Sequence, residues 1–120
     1  MAHLLFPCSH AADDPERATI PLNAACVAAA AGHEVTVVCT VDAVHLGTLG
    51  GADGIAAPGM TPVADLVTTL VAAGGELWLC SACTGPRGIT EADLRAGATI
   101  VGAATIVEAV AAGAQSITLA

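Results

Sequence analysis

Apolar and polar positions along the chain fall into short apolar runs separated by longer, alanine-rich segments. Five runs read as strands: "HLLFPCS" (3–9), "HEVTVVCT" (33–40), "ELWLC" (76–80), "ATIVG" (98–102) and "QSITLA" (115–120). The second is β-branched and almost continuously apolar, as a strand covered on both faces should be. Pro7 limits the pairing of the first. "AADDPER" (11–17) reads as a turn and "ATIPLNAACVAAAAG" (18–32) as a helix stopped by Gly32. Pro21 fits that helix in its first turn if it starts near Thr19, and otherwise marks a kink.

"VDAVHLGTLG" (41–50) predicts a weak short helix, and the Gly- and Pro-rich stretch that follows predicts a loop. "VADLVTTLVAAGG" (63–75) repeats leucine and valine at helical spacing. "TEADLRAG" (90–97) predicts a short helix with Thr90 as N-cap and Asp93 three residues on, close to a capping box. "AATIVEAVAAG" (103–113) predicts the last helix. Strands alternating with helices imply one α/β domain over residues 1–120, with three layers and a mostly parallel sheet of about five strands.

Ligands of such sheets bind beyond the carboxyl ends of the strands. Cys8, Cys39 and Cys80 each fall at such an end. Arg17 and Arg87 lie in or just after the loops leaving the first and third strands, so two of the three cations gather on that cysteine-rich edge.

Composition adds a partner. Hydrophobic residues make up 55% and charged residues 12% of the chain, against about 45–50% and about 25% in a typical domain. A domain this small has much surface per residue, so the surplus points to a subunit interface. The net charge is −8 and lysine is absent, which sets aside direct nucleic-acid binding and anionic membrane surfaces. "MAHLLFPCSH" has neither a basic n-region nor a long enough apolar run for a signal peptide, so a cytoplasmic protein is expected. Five cysteines in a reducing compartment argue for free, catalytic or ligating thiols.

The one closely spaced pair, Cys80 and Cys83, sits in "LWLCSACTGPRG". A nucleophilic sulfur must be a thiolate, which needs positive potential or a helix start nearby. Arg87 and the helix expected from about residue 90 offer both. A buried, inert cysteine beside an arginine that pairs with a carboxylate fits the same residues. A thioredoxin-like dithiol has its second cysteine inside a helix, whereas Gly85, Pro86 and Gly88 are expected to delay the helix past Cys83. Zinc needs about four ligands, and Cys8 and His10 would join Cys80 and Cys83 only if the first and third strands adjoin. His33 reads as a turn residue and His45 as structural; Asp13, Asp14 and Glu16 read as the cap of a helix start. No phosphate loop or other cofactor motif is present.

"DPERATIPLNAACVAAAAGHEVTVV" followed by "GGELWLCSACTGPRGITEADLRAGATIVGAATIVEAV" resembles the DsrE/DsrF/TusD-like family, with its YchN-like fold. The likeness runs from about residue 3 to 119. It implies a parallel-sheet domain that assembles as a homotrimer or homohexamer. It also implies a sulfur-relay role, in which the cysteine after the third strand, here Cys80, carries sulfane sulfur as a persulfide between donor and acceptor proteins. Cys83 is an added thiol that would resolve such a persulfide. Two classes stand: a sulfur carrier or sulfurtransferase using Cys80 and Cys83, and a non-catalytic oligomer binding a metal or small ligand on the same edge. Arg87, Arg17 and Cys8 are the expected binding residues in either case.

Overall fold

Strands β1 (His3–Cys8), β2 (Glu34–Cys39), β3 (Glu76–Cys80), β4 (Ala98–Val101) and β5 (Gln115–Ser116) form one sheet in the order β4-β3-β2-β1-β5. Every pair is parallel. Helices α1 (Pro15–Ala30), α2 (Val63–Ala72), α3 (Ser81–Thr84) and α4 (Ala103–Ala111) connect them, with 3-10 turns at Val41–Gly47 and Glu91–Asp93. The structure, a computed structural model, describes residues 1–120. The α/β reading with a five-stranded parallel sheet holds.

Chirality explains the layers. The steps from β1 to β2 and from β2 to β3 move one way across the sheet, while the step from β4 to β5 returns past β1. Right-handed crossovers therefore put α1 and α2 on one face and α4 on the other. Under α1 and α2 lies the main core, where Phe6, Val35, Val37, Leu77 and Leu79 of the sheet meet Leu22, Leu66 and Leu70. Each such side chain stabilises the fold by about 1.5–3 kcal/mol on burial. The other face holds a small cluster of Leu5, Val38 and Ala114, with Trp78, Ile106 and Ala109 packed beside it. No residue of α4 is fully buried.

Several boundaries differ from the sequence reading. α1 begins at Pro15, inside the expected turn, because Asp14 caps it by accepting the Arg17 backbone N–H at 3.1 Å and Pro15 supplies the first helical position. Pro21 thus lies within the helix, where it cannot donate to the Arg17 carbonyl. Gly32, at φ +90°, ends α1 as expected. The helix expected over 90–97 is a single 3-10 turn with its capping box intact. It stops because the chain is diverted sideways: Leu49 N–H bonds the Asp93 carbonyl at 2.9 Å and Arg95 N–H the Gly47 carbonyl at 2.9 Å. β5 is shorter than the expected 115–120: its register with β1 covers Gln115 and Ser116, and the Ile117 N–H adds a bond to the Leu5 carbonyl at 2.8 Å.

Candidate functional site

β3 runs straight into α3, with Cys80 as the last strand residue and helix N-cap and Cys83 inside the first turn. This corrects the expectation that Gly85, Pro86 and Gly88 delay the helix past Cys83. They follow the turn instead and close it: the Arg87 and Ile89 N–H groups both return to the Thr84 carbonyl at 3.1 Å, with Gly88 at φ +68°. An isolated helical turn is unstable. This one is held by tertiary contacts, including buried Thr84 and the packing of Cys83 and Ile89 against the main core. Cys80 and Cys83 thus stand at a strand-to-helix junction with the second cysteine inside the helix, the placement of a thioredoxin-like pair.

Register sorts the remaining thiols. Cys8 pairs with Cys39, and Cys39 with Leu79. Side chains alternate between faces, so Cys8, Cys39 and Leu79 point under α1, while Cys80 shares the opposite face with Trp78. Cys8 and Cys39 are buried, and burial pushes Cys8 up from the ordinary 9.0 to about 11. Burial likewise pushes Cys39 well above its ordinary value, with Cys8 adding to it. Cys26, half-buried on α1, is pushed up by burial and donates to the Leu66 carbonyl at 3.3 Å. Cys80 and Cys83 are partly exposed.

The Cys83 sulfur accepts the Val41 backbone N–H at 3.1 Å. Val41 is the sole non-glycine residue with positive φ, at 51°. Arg87 reaches across the same gap: its Nη2 donates to Asp42 Oδ1 at 2.8 Å and its Nη1 to the Cys83 carbonyl at 3.2 Å. The structure thus brings together Cys80, Cys83 and Arg87. It leaves two expected binding residues apart: Arg17 pairs with its helical neighbour Asp14 at 3.0 Å, and Cys8 is sealed on the far face. Val41 and Asp42 were missed. Asp42 carried a signal, a carboxylate just beyond a strand's carboxyl end. Val41 carried none, since a β-branched residue argues against that conformation.

The four-ligand metal set is not assembled, because β2 lies between β1 and β3 and His10 pairs with Asp13 at 2.8 Å. No group of three or more His, Cys, Asp or Glu side chains is arranged to hold a metal ion. Two shallow hollows flank the Asp42–Arg87 pair. One of about 380 Å³ is lined by His45, Thr48 and Arg87, and another of about 330 Å³ by Asp13, Asp42 and His45. A larger cleft of about 760 Å³ lies elsewhere, between α4 and His3, Glu34 and Trp78.

A family model described as DsrE/DsrF-like matches residues 2–119. The chain belongs to that family. The DsrE/DsrF-like domain is similar in fold to the YchN protein of Escherichia coli, at 19% identity and TM-score 0.81, covering 99% of this chain and 100% of that one. It is similar also to MTH1491 of Methanobacterium thermoautotrophicum, a protein of unknown function, at 20% identity and TM-score 0.77, with the same coverage. No curated protein matches. Membership supports a sulfur-relay role at the level of the family, and no helix is long and apolar enough to cross a membrane.

Proposed function

We propose that this DsrE/DsrF-like domain is a sulfur carrier that takes sulfane sulfur onto Cys80 as a persulfide, with Cys83 as the resolving thiol. The observation that carries this is the placement of Cys80 at the carboxyl end of β3, partly exposed, with Cys83 one helical turn on. In loading, the Cys80 thiolate attacks the outer sulfur of a donor persulfide; the donor S–S bond breaks and the donor leaves as thiolate. Handover to an acceptor thiolate repeats that exchange, and resolution by Cys83 competes with it.

The donor and acceptor are expected to be proteins, in the cytoplasm. The working form is a homo-oligomer, a trimer or a dimer of trimers. Val107 and Val110 of α4 lie exposed on the thinly covered face, which supports a covering copy of the chain. The test is mass spectrometry after polysulfide exposure. Added sulfur is expected on the Cys80 peptide and absent in Cys80→Ser. Equal loading of Cys26, or loading that survives Cys80→Ser, would defeat the proposal. Light scattering checks assembly, and a stable mass near 11.6 kDa would exclude the oligomer.

A further inference from the structure

Four thiols can be compared by the bonds their sulfurs make. Cys8 donates to the His10 and Ala18 carbonyls, Cys26 to Leu66 and Cys39 to Val37. Each of these is a protonated thiol acting as donor. Cys83 does the reverse and receives an N–H, at 3.1 Å. A cysteine sulfur is a weak acceptor, so a donor held this close marks an arrangement that the surrounding contacts impose. The residue supplying that N–H is Val41, which holds a left-handed conformation costing about 1–3 kcal/mol in a β-branched residue. Such a conformation persists only where surrounding contacts enforce it.

The enforcing contact comes from the loop after α3. Arg87 bonds the carboxylate of Asp42, the residue after Val41, and the carbonyl of Cys83 itself. One guanidinium therefore ties the donor's segment to the acceptor's backbone. The Arg87 and Asp42 side chains are 27% and 39% exposed, so solvent only partly screens the pair. We infer that Asp42 and Arg87 are positioning residues which hold the Val41 N–H against the Cys83 sulfur and so orient Cys83 as the attacking sulfur that ends each persulfide cycle. This rests on the carrier reading above and adds to it. Arg87 serves Cys83 through the Val41 loop, rather than acting directly on Cys80 as the sequence suggested.

The Cys83 thiolate attacks the Sγ of persulfidated Cys80, a Cys80–Cys83 bond forms, the persulfide S–S bond breaks, and hydrosulfide leaves. Both cysteines are oxidised and the sulfane sulfur is reduced. An external dithiol reductant returns the pair to thiols.

The experiment follows sulfide release and Cys80–Cys83 closure after a single polysulfide load, in wild type, Asp42→Asn, Arg87→Ala and Arg87→Lys, with circular dichroism to confirm folding. Release is read per loaded Cys80, so any difference in loading between the four proteins divides out. Sulfide release should slow by about tenfold or more in Asp42→Asn and Arg87→Ala, since misplacing a reacting group by an ångström can cost as much as about a hundredfold. Arg87→Lys keeps a charge for Asp42 and should recover part of the rate. A parallel measurement closes the dithiol with diamide and needs no persulfide. If wild type never loads sulfur yet the variants close the disulfide more slowly, the carrier reading fails and the positioning role stands. If folded Asp42→Asn and Arg87→Ala close and release at the wild-type rate, the positioning role is overturned.

Discussion

Cys39 and Cys80 end neighbouring strands at one edge of one sheet, and their surroundings are opposite. Cys39 faces the thick layer of α1 and α2 and is fully buried. Cys80 faces the thin side, beside Trp78, where α4 buries none of its own residues completely. A single residue separates the two outcomes, because Cys39 aligns with Leu79 and Cys80 lies one step beyond. With a side-chain period of two, that step reverses the face. The difference shows that a strand-end position does not by itself make a cysteine available. Which layer covers the end decides it.

The largest expected effect is in reactivity. Under limiting iodoacetamide near pH 8, Cys80 and Cys83 should be labelled first and Cys8 and Cys39 last. With its value at about 11 rather than 9.0, Cys8 carries about a hundredfold less thiolate than an ordinary thiol. Comparable labelling of Cys8 or Cys39 in the folded protein, read by peptide mass spectrometry, would break the comparison.

A smaller effect separates the faces by pH. The folded value of Cys8 lies above its unfolded one, so between about 9 and 11 the unfolded chain has lost a proton that the native state retains. Unfolding is favoured there as pH rises. Stability from this group is complete below pH 9 and falls by roughly 2–3 kcal/mol on reaching pH 11. Urea midpoints from pH 8 to 11 should show the fall in wild type and a reduced one in Cys8→Ala.

The smallest effect concerns the strained donor. Val41→Gly relieves about 1–3 kcal/mol of backbone strain and gives back about 0.5–1 kcal/mol in chain entropy. Val41 is half-exposed, so little packing is lost. A net gain on the order of 1 kcal/mol should raise the melting temperature by several degrees. A loss of stability would mean that the Val41 side chain matters more than its conformation.

The strand at 76–80 was legible because an apolar run stops at a polar, glycine-rich stretch, and the carboxyl-end rule then led to Cys80. The same rule named Cys8, but it has no term for which face a strand end presents. The start of α1 was set too late because Pro15, Glu16 and Arg17 were counted in the turn, although Asp14 was read as the cap of a helix start and does cap it. The turn of α3 was missed because glycine and proline after Cys83 outweighed a four-residue turn in which only Ala82 favours a helix.

The sequence by itself determined the order of strands and helices, the parallel sheet, the family and the cysteine pair at the end of β3. Those follow from local periodicity and from motifs contiguous in the chain. The tertiary structure alone decided that Cys8 and Cys39 are sealed, that Arg87 answers Asp42 across 45 residues, and that Val41 is bent to give its N–H to Cys83. These depend on register, on which layer covers each face, and on contacts between segments remote in sequence, none of which a local pattern encodes.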